Sequence, residues 1–193
     1  MYRCLMTERN LLNLRFQTFF VSHEQSTALL VSDIIRAGKN LEKKGVLEDS
    51  QGVISLEYGK RMLITGNYAS IQDLKREDIV EIVDYDPVKK NALVIGQNQP
   101  DVETPVHWLI HHAREDVHAV VQLNSKKLLE KLSKNLPVTE EEHPPGSLEL
   151  AKEVLKTLRR GKRIVIKNKG ALFVGASLSE VEGLVLTTNE ELK

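Results

Sequence analysis

A layered domain of mixed structure, α/β or α+β, is what the sequence predicts, and three observations carry that expectation. Short clusters rich in valine, isoleucine and leucine alternate with longer stretches whose apolar residues recur at helical spacing. Glycine, proline or serine marks most of the boundaries between them. The chain has 193 residues, 41% hydrophobic and 28% charged, which suits one soluble domain with a sizeable core.

Taken in order, residues 1–24 mix charges with apolar residues and have no continuous apolar core, unlike a secretory signal. They read as an N-terminal extension, an extra helix or a poorly ordered arm, ahead of a domain over 25–193. Residues 25–44 place Leu29, Leu30, Ile34, Ile35 and Leu41 at helical spacing, and Gly45 after Lys43-Lys44 is a stop signal. Two strands follow, VISLEY and KRMLIT, around Gly59-Lys60, and a clearer hairpin joins DIVEIVDYD to NALVIG through Pro87-Val-Lys-Lys. A short helix spans 105–114, then the apolar run Ala119-Val-Val121 reads as a buried strand. SKKLLEKLSKNL is helical, and PVTEEEHPPG is a loop. Ser147 caps a helix that Gly161 ends; RIVIKN and ALFVG are strands hinged at Lys169-Gly170, and Ser177 opens the last helix.

Several function classes are disfavoured. Lys+Arg and Asp+Glu balance at 27 each, so no global charge points to nucleic acid or an anionic membrane. Lys43-Lys44, Lys126-Lys127 and Arg159-Arg160 have little aromatic company and read as solvated helix faces. One cysteine, Cys4, rules out an internal disulfide framework and cysteine-based zinc fingers. No apolar run approaches the roughly 20 residues of a membrane helix. Cytoplasm is the expected location.

Neither a P-loop nor a dinucleotide glycine fingerprint is present. His111 and His112 are adjacent, so on a helix they splay about 100° apart and do not chelate one ion together. His107 and His111 stand four apart, which is metal-ligand spacing, although two surface or cavity histidines are the commoner outcome. The strand end is more informative. Gln122 and Asn124 follow the apolar run and point the same way, and buried amides need partners. They are expected to face a cavity or a polar neighbour.

The order of elements resembles the class II aldolase/adducin family over roughly residues 25–188. The matching pieces are Gly52-Val-Ile-Ser55, Leu63-Ile-Thr-Gly66, Leu74-Lys-Arg-Glu-Asp78-Ile-Val80, Glu103-Thr-Pro-Val-His107, Arg114-Glu-Asp-Val117 and Ala119-Val-Val121. Gly146-Ser147-Leu-Glu-Leu-Ala151, Ile166-Lys-Asn-Lys-Gly170 and Gly175-Ala-Ser-Leu178 complete them. No one piece is diagnostic; their order and spacing carry the likeness. It implies a three-layer α/β/α sandwich around a mainly antiparallel sheet, and a homo-oligomer, a tetramer first of all, with the pocket at a subunit interface.

Enzymes of this family bind a divalent metal, usually zinc, through three histidines, and the corresponding positions here are Gln122, Asn124 and Lys169. Amide oxygens are weak neutral donors, and an ammonium has no lone pair. At an effective dielectric of about 20, a lysine charge ~4 Å from a dication costs on the order of 8 kcal/mol. The expectation is therefore no metal cofactor, with Lys169 donating to the Gln122 and Asn124 oxygens. Glu103 matches the family's acid/base glutamate, and Thr65 and Gly66 match part of its phosphate loop. Asp101 and Val102 stand where two serines are expected, and Val53 where an asparagine is, so the anion site is weakened. Ser55, Thr65, Gly66, Gln122 and Asn124 are the candidate substrate-binding residues, Glu103 and Lys169 the candidate catalytic ones. The chain thus reads as a metal-free binding or assembly module. A small carbonyl or sugar-type ligand is the partner to expect, and the alternative is an aldolase-type lyase acting on a small sugar or sugar phosphate through Glu103, with a Lys169 Schiff base or a metal moved to Glu103, His107 and His143.

Overall fold

The computed structural model describes residues 15–46 and 51–191, except for the side chains of 126–128. Its centre is one eight-stranded sheet in the order β1-β5-β4-β3-β2-β6-β8-β7. The strands are β1 (Gln17–Ser22), β2 (Gln51–Tyr58), β3 (Arg61–Thr65), β4 (Ile79–Asp86), β5 (Asn91–Ile95), β6 (Ala119–Asn124), β7 (Arg163–Ile166) and β8 (Gly170–Gly175). Every pairing is antiparallel except β1 against β5. The helices are α1 (Val31–Lys43), α2 (Thr104–Ala113), α3 (Lys126–Leu132), α4 (Leu148–Leu158) and α5 (Leu178–Glu190).

Alternation along the strands divides the core into layers. Ala119, Val121 and Leu123 of β6 join Ile34 and Leu41 of α1 and Val181 and Val185 of α5 in one buried cluster. Val120 of the same strand faces the opposite way, with Val106 and Ile110 of α2 and Leu150 and Val154 of α4. A third cluster, including Val53, Ile64, Val80 and Trp108, extends that second face. The result is helices on both sides of a mixed, mostly antiparallel sheet, the three-layer sandwich.

Local signals act as the sequence predicts at several points. Ser147 and Ser177 accept from the amides of Leu150 and Glu180, each capping its helix. The two hairpins form as β2–β3 and β4–β5. Two boundaries differ. The first helix begins at Val31 instead of near residue 25, and α4 stops at Leu158, because Arg159 takes a positive φ of 45° ahead of Gly161. The N-terminal extension also needs correction, because Gln17–Ser22 is an edge strand pairing with β5. Its alternating half-exposed pattern carries too few buried residues to mark it locally as sheet. Residues 1–14 lie outside the described residues. Among the described residues no helix is long and apolar enough to cross a membrane.

Candidate functional site

A cavity of about 880 Å³ opens where β6 ends and β2 begins, and its walls include Arg15, Asn67, Asp101, Glu103, Asn124 and Lys169. Three pieces of local structure bring these groups together. The Asp101 carboxylate accepts the Glu103 amide at 2.8 Å and its carbonyl accepts the Thr104 hydroxyl at 2.6 Å, a tight turn that sets Glu103 at the head of α2. Gly146 closes over that turn; with φ +66 and only 2.0 Å between a notional Cβ and the Val102 carbonyl, no side chain fits. Gly170 opens β8 against β6, where a Cβ would stand 2.0 Å from the Leu123 carbonyl and 2.8 Å from the Asn124 Cα. That close approach seats the neighbouring Lys169 beside Asn124.

The charges pair inside the pocket. Lys169 Nζ, on a side chain 17% exposed, forms an ion pair with Glu103 Oε1, on a side chain 1% exposed. Burial lowers the Lys169 ammonium to about 8, opposed by the nearby Asp101 carboxylate. Burial also raises the Asp101 carboxyl to about 7, opposed by the charge on Lys169. The Gln122 and Asn124 amides contact each other at 3.1 Å, with Gln122 Nε2 donating. Lys169 therefore does not donate to those amides as the sequence reading expects. A buried carboxylate attracts an ammonium more strongly than neutral amide oxygens do, and Glu103 is within reach.

A buried polar ridge runs away from the cavity along α2. Glu103, His107 and His111 are spaced by four, so they share one side of the helix. Ser55 Oγ lies 2.8 Å from His107 Nδ1 and 2.9 Å from His111 Nε2, and His111 Nδ1 lies 3.2 Å from the Val117 carbonyl. Burial, first of all, holds the His107 imidazole down to about 3 and His111 to about 4, so both are neutral at pH 7. Gln122 beside the ring acts on His107 in the opposite direction, although neither His107 Nε2 nor Gln122 Oε1 has a hydrogen-bond partner. The histidine spacing noted in the sequence thus serves a hydrogen-bonded chain through Ser55.

Of the residues singled out from sequence, Glu103, Lys169 and Asn124 meet at the cavity wall. Ser55 does not: it is fully buried under α2 and engaged by two histidines. Thr65 is buried as well, its hydroxyl accepting the Ile54 amide, and Gly66 is held by its amide to the Asp78 carbonyl. Gln122 stands behind Asn124, with no exposed surface. β3, next to β2 and two strands from β6, carries Thr65 off the wall with Gly66 just past its end, while the loop that follows, Asn67 to Ser70, lines it. Sequence reasoning missed Arg15, Asn67 and Ser70; Asn67-Tyr68 beside Gly66 was the available signal, and Arg15 had none.

The three positions that the resemblance assigns to a metal do not fit one. Lys169 offers an ammonium already paired with Glu103, and the two amides pair with each other. The moved site is not assembled either. His143 approaches Glu141 at 3.8 Å, and among the described residues no group of three His, Cys, Asp or Glu side chains is arranged to hold a metal ion.

Comparison with known proteins agrees with this architecture. Residues 32–129 match the family model described as "Class II Aldolase and Adducin N-terminal domain", and the chain belongs to that family. Among solved structures, an L-fuculose 1-phosphate aldolase superposes with TM-score 0.72 at 19% identity, covering 87% of this chain and 84% of that one. A sugar-phosphate aldolase from Thermotoga maritima gives 0.67 at 16% identity, over 84% and 92% of the two chains. The N-terminal class II aldolase domain of a Thermoplasma acidophilum protein gives 0.63 at 15% identity, over 88% and 96%. At these identities the likeness carries the fold. No curated protein matches the chain.

Proposed function

We propose that this chain is a class II aldolase-fold protein that works without the family's metal and uses the Asp101–Glu103–Lys169 cavity to bind a small carbonyl or sugar-type compound. Binding or assembly, rather than metal-assisted carbon–carbon cleavage, is its role, as a cytoplasmic symmetric oligomer, first of all a tetramer. The observation that supports this reading is the ion pair between Lys169 and Glu103. An internal cation neutralises the acid/base carboxylate and leaves no lone pair for an external one. Elemental analysis of the purified protein, with an assay of L-fuculose 1-phosphate cleavage, tests it. The expected result is far less than one zinc per chain and no cleavage; one zinc per chain with cleavage abolished by chelation would sink the reading. Light scattering at micromolar concentration tests the assembly, and a monomer would count against it.

A second reading is supported by the position of Lys169 near neutrality, with the ammonium lowered to about 8 beside an Asp101 carboxyl at about 7. A neutral Lys169 amine would attack a carbonyl carbon, the carbonyl oxygen would take the Asp101 proton, and the Asp101 carboxylate would take one back from the new nitrogen to leave a carbinolamine. The carbinolamine would then lose water to give an imine. Borohydride in the presence of glyceraldehyde would trap such an imine at Lys169 faster than at the exposed Lys162. Equal labelling of the two lysines rules this second reading out.

A further inference from the structure

The buried ridge contains a mismatch of hydrogen-bonding polarity that bears on the cavity. The Val117 carbonyl only accepts, so the His111 nitrogen facing it, Nδ1, carries the hydrogen. In the neutral ring His111 Nε2 is then bare and takes the Ser55 hydroxyl proton. Ser55 Oγ, having spent its proton, accepts from His107 Nδ1, which leaves His107 Nε2 bare. That nitrogen is fully buried without a partner, and so is Gln122 Oε1, on the residue that neighbours the ring. Two acceptors therefore meet where one donor is needed. Reversing the ridge moves the conflict to the Val117 carbonyl, which is fixed in the backbone and cannot turn. A side-chain amide can, because its oxygen and nitrogen ends have the same shape.

We propose that the Gln122 amide turns over to donate to His107 Nε2, that Asn124 then donates to Gln122 Oε1, and that Asn124 presents its carbonyl oxygen to the cavity as a specificity-determining acceptor for a ligand hydroxyl. The chain of constraint runs from the Val117 carbonyl through His111, Ser55, His107 and Gln122 to Asn124. Arg15 lines the same wall as a second cation beside the Lys169–Glu103 pair and attracts an anionic group, so the ligand class is a small hydroxy acid. A keto group, which only accepts, is disfavoured at Asn124. This rests on the proposed use of the cavity for small-molecule binding.

The test uses the full chain labelled with ¹⁵N and two probes that differ at one position, lactate and pyruvate. Both His107 and His111 are expected as Nδ1–H tautomers, with a through-hydrogen-bond coupling between Gln122 Nε2 and His107 Nε2. Lactate is expected to bind about tenfold more tightly than pyruvate, the effect of one hydroxyl partner gained against one acceptor left facing another. A His107 Nε2–H tautomer, or no nitrogen–nitrogen coupling to Gln122, overturns the proposal. Coupling present with pyruvate bound as tightly as lactate overturns the role of Asn124. Coupling present with neither probe bound sinks the reading of the cavity as a binding site and leaves the ridge intact.

Discussion

Replacing Lys169 with methionine removes the cation and leaves its carboxylate behind. The Glu103 side chain is 1% exposed, and Lys169 is the only side-chain partner found for its carboxylate among the described residues. Its second oxygen, Oε2, already lacks a hydrogen bond. Breaking a buried pair from one side costs about 3–5 kcal/mol, because the remaining charge stays desolvated. Lys169 is 17% exposed and the cavity admits water, which favours the lower end, about 3 kcal/mol. That lowers the folding equilibrium constant by about two orders of magnitude. Urea unfolding followed by fluorescence of Trp108, the sole tryptophan, buried and stacked on His112, reads it directly. The expected result is a lower midpoint with an unchanged slope. Adding Glu103→Gln to Lys169→Met removes the stranded charge, and about 2 kcal/mol should return as an interaction energy in the double-mutant cycle. The reasoning fails if Lys169→Met stays within about 0.5 kcal/mol of the parent, or if the double variant recovers nothing.

Other perturbations probe the same region. His107 and His111 are held to about 3 and about 4 from an ordinary 6.5, so below pH 6.5 the unfolded chain binds more protons and stability falls on acidification. Both contributions are intact above pH 6.5 and are lost progressively toward pH 3–4, on the order of 3–5 kcal/mol each. Asp101 releases about one proton on unfolding at pH 5, so proton uptake is measured on the Asp101→Asn variant by calorimetry in two buffers; it should approach two, and a value near zero would contradict the burial of the histidines. Asp101, raised to about 7, acts in the opposite sense across pH 4–7, so Asp101→Asn should remove a loss of stability on going from pH 5 to pH 8. Gly170→Ala places a methyl 2.0 Å from the Leu123 carbonyl and should cost about 3 kcal/mol or more by forcing β8 away from β6; a thermal midpoint unchanged from the parent would refute that geometry.

Much of the fold was legible locally. The serine caps, the two hairpins and the buried β6 strand each declare themselves within a few residues, because capping, turn formation and alternation are short-range physics. The pocket was legible as a set of positions: Glu103, Asn124 and Lys169 were picked from sequence and they meet. What sequence could not decide was partnership. Whether Lys169 turns to two amides or to a carboxylate 66 positions away depends on how the Asp101 turn and the β7–β8 turn meet in space. Ser55 looked like a wall residue until α2 covered it with two histidines. β1 looked like an arm, since its half-exposed residues become sheet only through parallel hydrogen bonds to β5, some seventy residues on. Backbone pairing and electrostatic choice are settled by which distant groups arrive first within a few ångströms, and that is a property of the packed layers rather than of any stretch of chain.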